Sequence, residues 1–128
     1  MSRAWFKRSA AGLLLLSAVA CSPQATSAAS VGLGEFWVTP DHRVLEAGAV
    51  ELAVENHGEF AHTLVVSDAS GTVIAATDLI APGGGTLLKL AIQPGAYMLT
   101  CRIVKGLEDG TVVDHYQNGM AVSVDAVA

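Results

Sequence analysis

Residues 87–101, Leu-Leu-Lys-Leu-Ala-Ile-Gln-Pro-Gly-Ala-Tyr-Met-Leu-Thr-Cys, decide the fold. Two short apolar segments, Leu87–Ile92 and Ala96–Cys101, flank the sequence Gln-Pro-Gly. Pro and Gly favour a tight turn, and apolar segments of this length bounded by turn residues are typical of β-strands. We therefore predict a strand, a turn and a second strand that ends at Cys101.

The same pattern continues outward in both directions along the chain. Five more short segments, apolar or alternating, are predicted to be strands: Glu35–Thr39, Val50–Glu55, Thr63–Ser67, Thr72–Thr77 and Ala121–Val124. Turn residues separate the segments at intervals close to the spacing expected for a sandwich or barrel. No segment after residue 30 combines apolar residues at helical spacing with helix-capping residues, so any helix should be short. The sequence predicts an all-β, Greek-key β-sandwich of about seven to eight strands.

Side-chain alternation in one strand assigns its two faces. Leu52 and Val54 alternate with Glu51 and Glu55, which places the apolar pair in the core and the acids in water. Aromatic residues in such strands usually serve packing. We expect this of four of them: Phe36, Trp37, Phe60 and Tyr97.

The N-terminal segment is predicted to be a signal peptide that spans residues 1–20. Arg3, Lys7 and Arg8 precede the apolar run Ala10–Ala20, which ends in small residues suited to cleavage. This run is shorter than the roughly 20 apolar residues that a membrane-spanning helix needs. A permanent transmembrane anchor is therefore disfavoured, and export is expected.

Cys21 follows the predicted cleavage point, and the sequence Leu-Ser-Ala-Val-Ala-Cys resembles a bacterial lipobox. The resemblance implies that Cys21 is acylated and becomes the mature N-terminus. Ala18 departs from the aliphatic residue preferred at its place, so ordinary signal peptidase cleavage stays open. Residues 21–30 are small and polar and are expected to be a tether, and residues 31–128 the domain. The expected location is periplasmic or cell-surface, with a membrane anchor on Cys21.

Charge narrows the range of partners. Removing residues 1–20 takes three of the seven basic residues and none of the twelve acidic ones, so the formal net charge falls from −5 to −8. Because phosphate binding needs a positive surface, nucleic acid is not an expected partner. The charge fits a basic or neutral protein partner, and a role in solubility alone is an equal alternative.

The two cysteines of an exported chain could form a disulfide. A bond between Cys21 and Cys101 would close a loop through the tether, which disfavours it. Cys101 is then a single thiol in an oxidising compartment, where a bound metal would protect it.

Four side chains form the candidate metal site. Cys101, His115 and Met120 lie near the C-terminus, and His62 lies in an earlier segment. A thiolate, two imidazoles and a thioether are the soft, mixed ligands of blue-copper centres. In a sandwich, residues distant in sequence meet when they occupy the same end of neighbouring strands. Mononuclear copper is the leading hypothesis.

These segments resemble the cupredoxins, the family of plastocyanin and azurin. Asn56-His-Gly-Glu-Phe-Ala-His62 is similar to the segment with the first histidine ligand, and His115-Tyr-Gln-Asn-Gly-Met120 to the C-terminal ligand loop. The resemblance implies that His62, Cys101 and His115 are trigonal ligands and that Met120 is the long axial one. It also implies an electron carrier with one type 1 copper and His115 as the electron port. The resemblance further implies a redox partner, such as a cytochrome or an oxidase, and no enzyme activity.

One segment departs from the family pattern. Thirteen residues, 102–114, separate Cys101 from His115, whereas the family usually has only a few. Lys105–Thr111 has the composition of a turn, so we expect a small hairpin that returns the chain to the site.

Other interpretations stay open beside the electron carrier. The same ligands could serve a copper-binding or delivery protein, or the domain could be a cupredoxin-like interaction module without metal. Zinc fits less well, because structural zinc usually takes a fourth Cys or His. A Cys-His nucleophile lacks an orienting acid and an oxyanion device. His42 and His57 are not expected to be ligands.

Overall fold

Two β-sheets form the domain in this computed structural model, which describes residues 12–15 and 22–128. The strands of the described residues are β1 (Ala28–Gly34), β2 (Trp37–Pro40), β3 (Val44–Glu46), β4 (Gly48–Asn56), β5 (Val65–Asp68), β6 (Val73–Ala76), β7 (Gly85–Ile92), β8 (Gly95–Thr100), β9 (Val104–Gly106), β10 (Val112–Asp114) and β11 (Ala121–Val127). One sheet has the order β2-β1-β4-β7 and the other β3-β11-β8-β5-β6, while β9 and β10 form a separate hairpin. Most neighbours within the large sheets are not consecutive in sequence, so the chain crosses repeatedly between them, as a Greek key requires.

The core lies between the inner faces of the two sheets. From Val50 to Asn56 in β4 buried and exposed residues alternate, and Leu52 and Val54 lie inside while Glu51 and Glu55 face water, as predicted. Leu33 of β1 and Leu99 of β8 join the buried cluster from the two sheets. Alternating burial of this kind removes apolar area from water at roughly 25 cal/mol per Å² and holds the sheets together. The predicted all-β sandwich is confirmed.

All seven predicted strands are present, with shifted ends. Glu35 and Phe36 lie in the turn between β1 and β2 rather than in a strand. The parallel pairing of β1 with β4 and of β3 with β11 was not predicted, since neither β1 nor β3 was recognised in the sequence. Their pairing is long-range, which a local pattern does not reveal.

The domain begins earlier than residue 31. Ala28, Ala29 and Ser30 pair with β4, and Thr26 forms an isolated bridge with Leu45. The tether expected over residues 21–30 is therefore shorter at its C-terminal end. The predicted signal peptide lies largely, and Cys21 wholly, outside the described residues. Within the described part of the chain, no helix has the length and apolarity to cross a membrane.

Two of the aromatic predictions are wrong. Trp37 is 39% exposed and Phe60 is 49% exposed, whereas Tyr97 is buried and Phe36 packs against the core. Trp37 lies on the outer face of β2, where its indole covers the backbone of Gly34; a Cβ there would come within 2.3 Å of the ring. Packing against a glycine outside the sandwich explains its exposure.

Candidate metal centre

The four predicted ligands all lie at one end of the sandwich, where strands finish or begin. Cys101 directly follows β8, His115 follows β10, and Met120 directly precedes β11. His62 lies between β4 and β5 and forms an isolated bridge with Ile80. The hydrogen bonds between β8 and β11 hold Cys101 and Met120 in place, and the bridge to Ile80 holds His62.

Strand pairing explains how the C-terminal ligands meet. β8 and β11 are antiparallel, with Thr100 opposite Ala121, so the next residues outward, Cys101 and Met120, also face each other. The Cys101 N–H donates to the Met120 carbonyl at 3.2 Å, and the Met120 N–H donates to the His115 carbonyl at 3.1 Å. Backbone hydrogen bonds therefore link all three despite the long insertion.

Three ligand atoms converge in the interior. The His62 Nδ1 lies 3.1 Å from the His115 Nδ1. The Cys101 Sγ lies 3.9 Å from the His62 Nδ1 and 3.6 Å from the His115 Nδ1. His62 and Cys101 are fully buried, and His115 is 2% exposed. Met120 is fully buried as well.

These separations fit a single metal ion. Bonds of about 2.0–2.3 Å from one ion to nitrogen and sulfur place the ligand atoms about 3–4 Å from one another. The three observed separations between these atoms lie in this range. Buried polar groups need partners, and three lone-pair donors that face one another in a dry pocket satisfy one another best through a cation. The thiol sulfur and the nearby methionine make the donor set softer than zinc requires, so it fits copper.

Thr63 adds a contact to the sulfur. Its backbone N–H donates to the Cys101 Sγ at 3.5 Å, and its hydroxyl oxygen lies 3.8 Å from the same atom. Hydrogen bonds to a ligand sulfur withdraw negative charge from it and so tune the potential of a bound metal. Thr63 directly follows His62, so one segment provides a ligand and a contact to another ligand.

Glu35 holds the other side of the His62 ring. Its Oε1 accepts hydrogen bonds from the His62 Nε2 at 2.8 Å and the Phe60 N–H at 2.9 Å, and its Oε2 accepts from the Glu59 N–H at 3.0 Å. Burial by itself would raise the pKa of Glu35, but these hydrogen bonds outweigh it and lower the pKa to about 2. The carboxylate is therefore ionised at neutral pH.

His115 has a less polar environment. The edge of its ring meets Phe36, with 5.2 Å between the ring centres. Burial lowers the pKa of His115, and the neighbouring His62 lowers it further. A neutral imidazole is the form that offers a lone pair to a metal.

The surface above His115 is apolar. The residues around it include the exposed Phe60, Leu79 and Val104, together with the side chain of Lys105. Val104 and Lys105 belong to the β9–β10 hairpin, which confirms the hairpin expected in the insertion. The insertion thus covers one flank of the site and leaves apolar side chains in water.

Two other histidines, the free cysteine and one acidic residue complete the comparison between the sequence and the structure. His42 pairs with Asp41 and His57 with Glu55, and both histidines lie outside the cluster, as predicted. Cys101 is a free, buried thiol among the described residues. Cys21, the other half of the alternative disulfide, lies outside them. Sequence reasoning missed Glu35. Its only signal was an acid that interrupts the apolar alternation before Phe36 and Trp37.

This chain matches known proteins by structure rather than by sequence. No protein-family model matches the chain, and no curated protein matches it in sequence. Solved structures do match. A sodium-dithionite-reduced auracyanin from the photosynthetic bacterium Roseiflexus castenholzii superposes with a TM-score of 0.63 at 18% identity and covers 82% of this chain and 100% of its own.

Two further structures share the architecture. Auracyanin A from the green thermophilic photosynthetic bacterium Chloroflexus aurantiacus, described as a "blue" copper protein, has a TM-score of 0.51 at 15% identity, over 78% of this chain and 99% of its own. A multicopper oxidase has a TM-score of 0.51 at 12% identity, over 82% of this chain and 45% of its own. These likenesses establish the fold, and the cupredoxin-like β-sandwich predicted from the ligand motifs is confirmed.

Proposed function

We propose that this protein is an electron carrier that holds one type 1 copper through His62, Cys101, His115 and Met120. One observation carries the proposal: two imidazole nitrogens and a thiol sulfur lie within 3.1–3.9 Å of one another in a buried pocket. The shared fold with auracyanin A, a "blue" copper protein, supports it. A copper ion bound there would supply a one-electron Cu(I)/Cu(II) couple.

The chain contributes rigidity and exclusion of water. The four side chains are buried and backbone hydrogen bonds hold the residues that carry them, so they would stay in place whichever oxidation state is present. A site that rearranges little exchanges an electron with a small barrier, because few groups must move. Their burial also disfavours the alternative of a delivery protein, which needs an accessible and exchangeable site.

His115 is the proposed exit for the electron. It lies beneath the apolar surface formed by Phe60, Leu79 and Val104, while the rest of the domain is acidic. A small apolar contact surface surrounded by charged residues favours transient complexes between redox proteins, because the charges speed association without making binding tight. A redox partner protein, such as a cytochrome or an oxidase, would dock there, and no substrate would be transformed.

We also propose that the domain works outside the cytoplasm, as a periplasmic or cell-surface protein anchored through a lipid on Cys21. The support is the sequence of residues 1–21 alone. Expression of the full chain in a bacterium, followed by membrane fractionation, tests it. The wild type is expected in the membrane fraction and Cys21→Ala in the soluble fraction; a wild type found only in the soluble fraction would contradict the anchor.

The visible spectrum tests the copper proposal directly. The purified domain is titrated with Cu(II), and a strong thiolate-to-copper absorption that bleaches with reductant and returns with oxidant is expected at one copper per chain. Cys101→Ser is expected to abolish the absorption. His57→Gln, a histidine change outside the cluster, is the control and should leave it intact. A colourless wild type, or full colour in Cys101→Ser, would exclude the proposed site.

A further inference from the structure

The turn between β1 and β2 reaches across the sandwich end to the segment that carries His62. Glu35 and Phe36 form this turn, and each contacts one of the two histidines: Glu35 binds the His62 ring, and Phe36 packs on the His115 ring. A single turn therefore contacts both rings, and Glu35 does so at the His62 nitrogen opposite the one that lies toward Cys101.

The Glu35 carboxylate is fitted into the segment before His62. Both of its oxygens accept hydrogen bonds from the backbone of Glu59 and Phe60, in addition to the ring. Gly58 makes the approach possible, since a Cβ on it would lie only 2.2 Å from the Glu35 Oε1. These contacts depend on a carboxylate at residue 35 and on a missing side chain at residue 58.

We propose that Glu35 is a positioning residue that fixes the tautomer and orientation of His62. Both Glu35 oxygens already accept backbone N–H groups, so Glu35 acts as an acceptor toward the ring as well and the His62 Nε2 carries the proton. The Nδ1, which lies toward Cys101 and His115, then presents its lone pair. Glu35 thereby prepares His62 for a metal before any metal is bound.

A second consequence rests on the proposed copper function. A carboxylate hydrogen-bonded to a ligand histidine raises the basicity of the ring, and this favours the more highly charged oxidation state of the metal. Loss of such a partner typically costs about tenfold or more in metal affinity. We expect Glu35 to favour Cu(II) over Cu(I) and so to lower the reduction potential.

The metal-free protein gives the first test, which does not depend on copper. Nitrogen-15 NMR of the His62 ring is expected to show the proton on Nε2 in the wild type. In Glu35→Gln one amide cannot accept from both the ring and the Glu59 N–H, so a mixture of tautomers is expected. Gly58→Ala keeps the negative charge but displaces the carboxylate, and the same mixture is expected. This second variant keeps the test decisive if Glu35→Gln fails to fold.

The copper-loaded protein gives the second test. A tenfold loss of preference for Cu(II) in Glu35→Gln corresponds to a potential about 59 mV higher. Glu55→Gln removes one exposed carboxylate at the end of β4 and controls for the general loss of charge. Its potential and its His62 tautomer should match the wild type.

The outcomes separate the two proposals. A wild type that binds no copper refutes the electron carrier, while the NMR result on the metal-free chain still decides the role of Glu35. An unchanged Nε2–H tautomer in both Glu35→Gln and Gly58→Ala would overturn the positioning role. So would an equal shift of potential in Glu55→Gln and Glu35→Gln.

Discussion

His62 and His115 offer equivalent nitrogen atoms, yet they are held in opposite ways. His62 is fixed by an ionised carboxylate and by a loop held through several backbone hydrogen bonds, whereas His115 is held by its own backbone and by packing against Phe36. The first is an electrostatic clamp and the second is a packing contact beside a surface hairpin. The difference indicates that His62 is oriented by hydrogen bonds, whereas His115 lies next to the surface at which we propose that a redox partner docks.

Replacing each histidine with Ala should give the largest contrast. In the metal-free protein we expect His62→Ala to lower the free energy of unfolding by about 3–4 kcal/mol, because it removes a hydrogen bond to a charged group and leaves a buried cavity. His115→Ala should cost about 1–2 kcal/mol, since it removes packing without a charged partner. Urea unfolding at pH 7 measures both. A greater loss in His115→Ala would reverse the comparison.

Two asparagines hydrogen-bond to the backbone near the two histidines, one on each side of the site. Asn56 is buried and donates through Nδ2 to the carbonyls of Phe60 and Ile80, and its Oδ1 accepts from the Gly58 N–H. Asn118 makes a single exposed hydrogen bond to the Asp114 carbonyl on the His115 side. Each side chain thus braces the segment of one histidine, one inside the protein and one on its surface.

We expect Asn56→Ala to cost about 2–3 kcal/mol and Asn118→Ala less than about 1 kcal/mol. Loss of the buried amide leaves polar backbone groups without partners, whereas water replaces the exposed one. Ile80 keeps one donor, the His62 N–H at 3.1 Å, which limits the loss. Chemical denaturation of the two variants side by side provides the measurement, and equal losses would show that the His62 loop does not depend on Asn56.

The four candidate ligands could be singled out from the sequence because ligand chemistry restricts residue type. Cys101, His115 and Met120 follow one another along the chain and have few alternatives of the right softness. The strands between turn residues were predictable for a similar reason, since the period of two is local. In β4 this period correctly placed Leu52 and Val54 in the core and Glu51 and Glu55 in water.

Glu35 and Asn56 could not be recognised in the same way. Their importance comes from partners 25 and 24 residues away, Phe60 and Ile80, which only the arrangement of strands brings near. An isolated acid or amide in a sequence is most often a solvated residue. The exposure of Trp37 was missed for the same reason, because nothing local shows that the indole covers Gly34 on a neighbouring strand.

Shortening the insertion should affect the His115 ring and leave the His62 ring unchanged, with little loss of stability. Residues 106–112 can be replaced by Asn-Gly, a sequence suited to a two-residue hairpin. Since the removed residues are exposed, we expect the free energy of unfolding to change by less than about 1 kcal/mol. The His62 ring signals should stay the same and those of His115 should move, as nitrogen-15 NMR would show. Equal changes at both rings would mean that the hairpin supports the whole site.

The smallest effect is expected at the other end of the β1–β2 hairpin, far along the strands from the turn that carries Glu35. The Asp41 carboxylate accepts hydrogen bonds from His42 and from the Ser30 N–H, each at 2.9 Å. The hydrogen bond from His42 is the main reason that the pKa of Asp41 lies below its ordinary value of 3.8. A group whose pKa is lower in the folded state stabilises the protein above its unfolded pKa and loses that contribution as the pH falls below it.

Asp41→Asn should therefore cost about a few tenths of a kcal/mol at pH 7, because water screens the interactions of half-exposed polar groups. The difference between wild type and variant should shrink as the pH falls below the ordinary value of 3.8 and through the lower pKa of the folded protein, where the wild-type carboxylate takes up its proton. Unfolding curves across this range check the trend, and a difference that does not vary with pH would contradict it. If Glu35 holds His62 through local contacts alone, the His62 ring signals should be the same in Asp41→Asn as in the wild type. A shift would instead mean that the clamp depends on the alignment of the entire hairpin.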